Sequence, residues 1–494
     1  MKDFLKDFLK YLPAQIAPVV IGIVSIPIIT RLFSPGEYGN YVLVMVTVSF
    51  LGGLTTGWLA DSIIRFFPVY EKKAKLGELY NTILIFSIVS IAVISLFFLG
   101  ALFLIENKIS ANLASLMRLG VLVFVATVCF QIFQSFFRAK RQVTKYTSFS
   151  IWQSVAGLGI GIALVVFFHH GVDGLLWGEF LDVVTILPLM YLLGIGKDMS
   201  IRKGVSSSMA EEMAKYGFPL IIAFLTFFLL GSSDRYILGF FRGSQEVGIY
   251  SASYAISEGV LALLLGVFVV AAGPILMQIW EKQGVKASQE FLTKLTRYYL
   301  LICLPATVGL SVLAKPIINI FVAQQYYEGY RIIPLVVFGF FFNGVSYSFA
   351  LPFSLIKKTY IYSIMAMIAA LSNVGLNFLL IPKYGYMAAA VTTLISYSLY
   401  LFLTVVASRR FLVWKFPFKA LAKIALASTT MGITTYFIGS ILTSSILINL
   451  IVAIGTGGIV YFVTLFLLRG FYLGEIRMIL NFKDSIIKLL WSKK

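Results

Sequence analysis

Long uncharged stretches recur along the whole chain, and they constrain its fold more than any other feature. A membrane-spanning helix needs about 20 mostly apolar residues, because lipid offers its backbone groups no other hydrogen-bond partner. Ten stretches are clear, two are interrupted by acidic residues, and one charge-free segment is long enough for two spans. The sequence therefore predicts fourteen transmembrane helices, at 11–30, 38–60, 79–105, 119–137, 146–168, 174–196, 216–233, 247–273, 298–314, 332–356, 359–382 and 384–408, with the last two inside 424–468.

The composition agrees with a membrane protein, since 59% of the residues are hydrophobic and only 12% are charged. A soluble globular chain carries about 25% charged residues. This excludes a soluble enzyme, a disordered protein and a repeat solenoid. The expected fold class is an all-α polytopic membrane protein.

The net charge of +19 is explained by the positions of the 40 Lys and Arg residues. With the N-terminus inside, thirty-two of the 40 fall in inner segments and eight in outer ones. This bias predicts cytoplasmic termini, because cytoplasmic loops are enriched in Lys and Arg. We therefore expect a multi-pass protein of the cytoplasmic (inner) membrane whose basic residues face lipid headgroups, and no nucleic-acid partner.

Two segments outside the spans have amphipathic patterns. The first ten residues, MKDFLKDFLK, have apolar residues at helical spacing and predict a helix that lies at the membrane surface. The tail from Gly474 alternates apolar and basic residues in the same manner. Both segments are expected to contact membrane lipids.

The sequence offers little for catalysis or for a cofactor. Cys129 and Cys303 fall inside predicted spans and are interpreted as core residues, and His169 and His170 as a surface pair. The longest hydrophilic stretch, about 197–215, is short for the extramembrane segment that a glycosyltransferase or polymerase needs. Transport is therefore favoured over an enzyme, with a membrane-embedded polysaccharide polymerase as a weaker alternative.

The chain contains an internal repeat of six helices. RLFSPGEYGNY at 31–41 matches FFRGSQEVGIY at 240–250 in its Glu, Gly and Tyr. Two further matches follow in the same order, 69–72 with 279–282 and 171–174 with 385–388. An even repeat keeps its orientation in the membrane, which predicts two parallel lobes with a substrate cavity between them. The predicted domains are 1–205, 206–412 and 413–494, the last holding two appended helices and the basic tail.

Three segments resemble the polysaccharide-biosynthesis flippases of the multidrug/oligosaccharidyl-lipid/polysaccharide exporter superfamily. They are ITRLFSPGEYGNYVLV, the 234–257 segment DRYILGFFRGSQEVGIYSASYAIS and the 373–397 segment NVGLNFLLIPKYGYMAAAVTTLISY. The resemblance implies alternating access in O-antigen or capsule biosynthesis, with a polyprenyl-diphosphate-linked oligosaccharide as substrate. It also implies a polysaccharide polymerase and a chain-length regulator as partners. A multidrug or cation exporter and a lipid II flippase remain alternatives within the superfamily.

Three arginines are predicted to bind the substrate's diphosphate, because a guanidinium fork binds phosphate oxygens in a bidentate manner. The resemblance to lipid II flippases places Arg31, in TRLFS, at a functional arginine of their first helix. Arg65 is the candidate for a second such arginine, on a weaker local match. Arg235 ends the seventh predicted helix beside Asp234, and a structural ion pair between them is the alternative.

Acidic residues inside spans are costly and indicate function by default. Asp61 lies four residues before Arg65, so the two can pair on one helix face. Asp234, Glu258, Glu179 and Asp182 are candidates for coupling to H⁺ or Na⁺, or for pairing with arginines across the cavity. Asn343, Asn373 and Asn377 are expected either to bind sugars or, preferably, to join helices.

Overall fold

The computed structural model is built of helices throughout the part of the chain that it describes, residues 2–194, 196, 204–441, 445–471 and 475. Side chains are described from Pro13 onward, except at 267, 270, 271, 440 and 441. The α-helices are α1 (Lys2–Leu32), α2 (Pro35–Lys72), α3 (Leu76–Ile105), α4 (Ala111–Ala139), α5 (Val143–Phe167), α6 (Asp173–Gly194), α7 (Ser207–Arg242), α8 (Ser244–Val312), α9 (Ala314–Phe321), α10 (Ile333–Leu355), α11 (Tyr360–Ser408), α12 (Phe418–Ile441) and α13 (Ile446–Leu467).

The number of long helices agrees with the sequence. Among the described residues, thirteen helical segments are long and apolar enough to cross a membrane, when α8 is counted as two segments and the 49-residue α11 as one. Gly385, with a φ of 58°, breaks α11 into segments 360–384 and 386–408, which makes fourteen. Gly284, with a φ of 78°, divides α8 into 244–283 and 285–312. The predicted class, an all-α multi-pass membrane protein, is confirmed.

The helices extend beyond the apolar stretches that revealed them. The α2 helix continues to Lys72, and α7 begins at Ser207 instead of near residue 216. Between α8 and α10 the chain forms the short α9 and a 3-10 helix, Gln324–Ile332, where only a loop was predicted. Hydropathy marks the part of a helix that lipid requires to be apolar, and polar turns at its ends carry no such signal. The predicted amphipathic face of residues 1–10 and the tail after Glu475 lie outside the described side chains.

The chain divides into two compact units. The first comprises residues 1–259, 321–329 and 363–396, and in it α2 packs against α4 and α7 while α5 pairs with α6. The second comprises 260–320, 330–362 and 397–494. Its apolar core includes Cys303, Phe341, Trp414, Met431 and Tyr461. The three domains expected from the repeat stay a prediction.

The matching residues of the repeat meet each other in the first unit, at the starts of α2 and α8. A Cβ on Gly39 would lie 1.8 Å from the carbonyl oxygen of Ser244, and a Cβ on Gly248 would lie 2.0 Å from that of Pro35. Only glycine allows the two backbones to approach so closely. The hydroxyl of Ser244 also donates to Oδ1 of Asn40 at 2.5 Å. The contact is reciprocal, since each glycine lies against a backbone carbonyl at the start of the other helix.

The matching glutamates both serve helix starts. Glu37 accepts hydrogen bonds from the backbone N–H (2.9 Å) and the hydroxyl (2.7 Å) of Ser34, which forms a capping box at the start of α2. Glu246 accepts from Arg242 (2.8 Å) and from the backbone N–H of Tyr386 (2.9 Å), directly after the break in α11. The glycines of the repeated Glu-x-Gly motif therefore make the contact between α2 and α8, and its glutamates bond backbone N–H groups at helix starts.

Candidate functional site

Arg235 and Asp234 form a buried pair at the end of α7. Nη1 of Arg235 lies 3.1 Å from Oδ1 of Asp234 and donates to the carbonyl oxygen of Gly231 at 2.7 Å. Oδ2 of Asp234 accepts a hydrogen bond of 2.5 Å from the hydroxyl of Tyr250. Arg235 is only 8% exposed, and its guanidinium lies over the ring of Tyr254 at 4.4 Å. The pair is therefore held on both sides by α8.

Glu258, one turn after Tyr254 on α8, is exposed. Beside it Gly259 lies against α1, where a Cβ would stand 2.9 Å from Ile23. Helix α1 is therefore in close contact with α8 immediately beside Glu258.

Arg31 lies in the last turn of α1 and is exposed. Its Nη1 donates to the carbonyl oxygen of Pro27 at 2.7 Å, one turn earlier. Proline at 27 and two other prolines, at 13 and 18, interrupt the backbone hydrogen bonding of this helix. This bond folds the Arg31 side chain back along the last turn of α1.

Asp61 and Arg65 are both exposed on α2, and the structure, which describes both side chains, forms no ion pair between them. The predicted pairing of the two is therefore not observed. Arg65 lies thirty residues into α2, so about 45 Å of helix separates it from the helix start next to Arg31. One diphosphate cannot contact Arg31 and Arg65 at the same time in this conformation.

Glycines bring α5 and α6 together around two acidic residues. A Cβ on Gly178 would lie 2.5 Å from the Cα of Gly161, which shows how closely the two helix backbones pack. At the next turn, a Cβ on Gly157 would lie 3.3 Å from carboxylate oxygens of both Glu179 and Asp182. The two carboxyl groups therefore converge on the same glycine of α5.

Asp182 is completely buried, and neither of its carboxylate oxygens has a hydrogen-bond partner in the described part of the chain. Glu179 is partly buried. Burying a carboxylate without a partner is strongly unfavourable unless it takes up a proton or a cation. The prediction that these two residues couple transport to an ion stays a prediction.

Asn373 and Asn377 serve helix packing, as preferred from the sequence. Nδ2 of Asn377 donates to Oδ1 of Asn373 at 2.9 Å, and the Thr392 hydroxyl donates to Oδ1 of Asn377. Thr392 lies beyond the break at Gly385, so the network ties the two segments of α11 together. All three side chains are buried.

Sequence reasoning missed three features. The tyrosines around Arg235 were among many aromatic residues with no individual signal. Arg297, counted among the basic residues of an inner loop, is instead 2% exposed in α8 and forms an ion pair with Glu475, 178 residues later. A cavity lined by glutamines was also missed, because glutamine carries neither charge nor a spacing motif.

The family model for polysaccharide biosynthesis proteins matches residues 28–331, which is more than half of the chain. The chain belongs to this family. The family predicted from the TRLFSPGEYG and DRYILGFF segments is thereby confirmed. Those segments lie in the matched range, together with every arginine and acidic residue predicted for the site.

Two relatives of this family member are similar in sequence. The "Putative O-antigen transporter" of Shigella flexneri is 23% identical over 395 residues, which cover 76% of this chain and 90% of that protein. An uncharacterized membrane protein of Methanocaldococcus jannaschii is 25% identical over 288 residues, 58% of this chain. The matched region spans only about half (55%) of the M. jannaschii protein.

Solved structures of transporters share its fold. The lipid II flippase MurJ in an inward closed conformation matches with a TM-score of 0.70 at 17% identity, covering 93% of this chain and 98% of MurJ. A mutant of the Vibrio cholerae MATE transporter VcmN matches with a TM-score of 0.56 at 14% identity, covering 83% and 96%. The fold of this family member is therefore that of MurJ and the MATE transporters.

Proposed function

We propose that this protein is a flippase that moves polyprenyl-diphosphate-linked oligosaccharide units from the cytoplasmic to the outer leaflet for surface polysaccharide biosynthesis. The observation that carries the proposal is the family match over residues 28–331. The relative named an O-antigen transporter and the likeness to the MurJ fold support it. The protein acts in the cytoplasmic membrane with both termini inside, next to a polysaccharide polymerase and a chain-length regulator.

Alternating access is the proposed mechanism, and the reciprocal glycine contact supports it. Gly39 and Gly248 hold the starts of α2 and α8 together in the first compact unit. The positive-inside prediction assigns both helix starts to the outer side of the membrane. In our proposal this contact closes the outer side while substrate loads from the cytoplasm, and it separates for release.

The arginines take different parts in this proposal. Arg65 binds the diphosphate where it enters on the cytoplasmic side, and Arg31 binds it where it leaves on the outer side, since about 45 Å of α2 lies between them. Arg235 already has Asp234 and a backbone carbonyl as partners. It contributes positive charge and orientation, and its loss leaves Asp234 buried without a counter-ion.

The test is a strain that lacks this protein. We expect surface polysaccharide to disappear and lipid-linked units to accumulate in the cytoplasmic leaflet, with recovery when the wild-type chain is supplied. If the mutant exposes those units on its outer surface as the parent does, the flippase proposal fails.

A multidrug or cation exporter is the second candidate, and the convergence of Glu179 and Asp182 is the observation in its favour. Buried acidic residues suit a cationic substrate or a coupling ion. Increased drug sensitivity of the deletion strain, with polysaccharide intact, would select this function. If this protein complements a strain depleted of its lipid II flippase, the substrate is lipid II instead.

A further inference from the structure

Four glutamines from three helices line one cavity in the first compact unit, and none of the predicted site residues is among its lining residues. Gln15 comes from α1, Gln131 and Gln134 from α4, and Gln153 from α5. The cavity has a volume of about 350 Å³, near the lower end of the 300–1,000 Å³ typical of small-molecule sites. Four amides around one space within membrane-spanning helices are unusual, because polar residues are costly to place there. Such residues indicate function by default.

Some hydrogen-bonding groups of these amides have no partner in the described part of the chain. Gln134 is 6% exposed, and its Nε2 donates to Ser150 Oγ (2.9 Å) and to the carbonyl oxygen of Tyr146 (3.2 Å). Its Oε1 is buried and has no partner in the described part of the chain. Gln131 accepts from Thr56 at 2.8 Å, which leaves its amide N–H groups as donors at the cavity.

The lining identifies the class of ligand. Amides and hydroxyls provide both donors and acceptors, and Arg138 adds a positive charge. The lining residues that the structure describes include no carboxylate, so a cationic drug or a metal ion would find no counter-charge. A sugar ring matches this chemistry, because each hydroxyl both donates and accepts.

The cavity lies where the substrate is expected to enter. Its lining comes from residues 14–18 of α1, from Ala60 of α2, from the end of α4 and from the start of α5. The positive-inside prediction places these parts of the four helices toward the cytoplasmic side. Lipid-linked glycan is presented on that side before it is moved.

We propose that this glutamine cavity is a binding subsite for one sugar ring of the substrate's glycan. The inference rests on the proposed flippase function. It assigns a binding place to the glycan of the substrate, whereas the arginines are proposed to bind the diphosphate. The volume suits a single ring, so the remaining sugars lie outside the cavity.

Saturation-transfer difference NMR on the purified full-length protein tests the subsite, with glucose, N-acetylglucosamine and glucuronate as probes. We expect at least one sugar to receive saturation, and Gln134→Leu to reduce that transfer at least fivefold. Gln131→Leu serves as a second variant if Gln134→Leu does not fold. Gln289→Leu is the matched control, because that amide donates to the carbonyl oxygen of Val413 in the second unit.

Transfer to none of the sugars, or equal transfer in the wild type and both cavity variants, would overturn the subsite. Binding of tetraphenylphosphonium that Gln134→Leu abolishes would assign the cavity to cationic drugs and overturn it as well. The flippase proposal and the subsite proposal can be refuted independently of each other. A deletion strain that still exports glycan refutes the flippase, whereas absent sugar binding in a protein that restores export refutes only the subsite.

Discussion

Replacing Gly39 with alanine should weaken the contact between the starts of α2 and α8. The new Cβ would lie 1.8 Å from the carbonyl oxygen of Ser244, whereas real Cβ atoms essentially never approach another atom within 3.0 Å. The helix starts must therefore separate by the difference, at least 1.2 Å. The obstacle is backbone, so no side-chain rotation relieves it.

The free-energy cost of the Gly39→Ala substitution follows from this overlap. Overpacking a tightly packed site typically costs about 1–3 kcal/mol. Each 1.4 kcal/mol is about a factor of ten in population, so the ratio of closed to separated molecules should fall roughly 5- to 150-fold. Gly248→Ala should act in the same direction, because its Cβ would meet the Pro35 carbonyl oxygen at 2.0 Å.

Disulfide cross-linking measures this population. Cysteines replace Asn40 and Ser244, whose side chains are in contact, in a protein whose native Cys129 and Cys303 are changed to serine. The initial rate of oxidative cross-linking then follows the closed fraction, and Gly39→Ala should lower it.

Gly36→Ala is the matched control for this experiment. It lies on the same first turn of α2, but a Cβ there would have no atom within 4 Å. The control should cross-link at the unmodified rate and should export polysaccharide normally. If Gly39→Ala cross-links and exports as well as Gly36→Ala, the assignment of this contact as the outer closure is wrong.

Three further predictions concern charged residues. Asp182→Asn should not lower the Tm, because the carboxylate it removes is buried without a partner; a lower Tm in a thermal melt would reveal a stabilising partner. Arg297→Met should destabilise the protein by about 3–5 kcal/mol by leaving Glu475 unpaired, and Arg297→Met combined with Glu475→Gln should recover most of that loss in denaturant unfolding. Arg31→Ala should impair polysaccharide export at normal protein level, Arg31→Lys should restore it only partly, and Arg410→Ala should have no effect; equal export by all three would refute diphosphate binding at Arg31.

Much of the fold was predictable because a helix that crosses lipid must be mostly apolar, and the hydropathy of the sequence shows this directly. Each span must be apolar over its full length, and fourteen such stretches correspond to fourteen long helical segments in the described residues. A break near Gly385 was also predictable, because Lys383 separates two adjacent apolar stretches, 359–382 and 384–408. Polar helix ends, such as 61–72 of α2, carry no comparable signal.

The sequence predicted which charged residues belong to the candidate site, but not how they are arranged. Asp234 and Arg235 stood out as charges within the membrane, but their burial depends on Tyr250 and Tyr254 from the next helix. Such pairings depend on tertiary packing, which a single sequence does not encode locally. The convergence of Glu179 and Asp182 on Gly157 depends equally on the close packing of α5 and α6.

The features that escaped prediction have no periodic or charge signature. Glutamines at 15, 131, 134 and 153 meet only because α1, α4 and α5 adjoin one cavity. Arg297 and Glu475 pair across 178 residues, and each on its own looked like an ordinary charge at a membrane boundary. Only the assembled helices reveal these arrangements.

Flipping itself can be measured after reconstitution of the protein into liposomes with a polyprenyl-diphosphate-linked glycan. A membrane-impermeant periodate reagent oxidises only the sugars that face outward, so it reports how much of the inner pool has crossed. We expect the wild-type protein to expose the inner pool, and Gly39→Ala to do so more slowly than Gly36→Ala. Equal oxidation in protein-containing and protein-free liposomes would contradict this expectation.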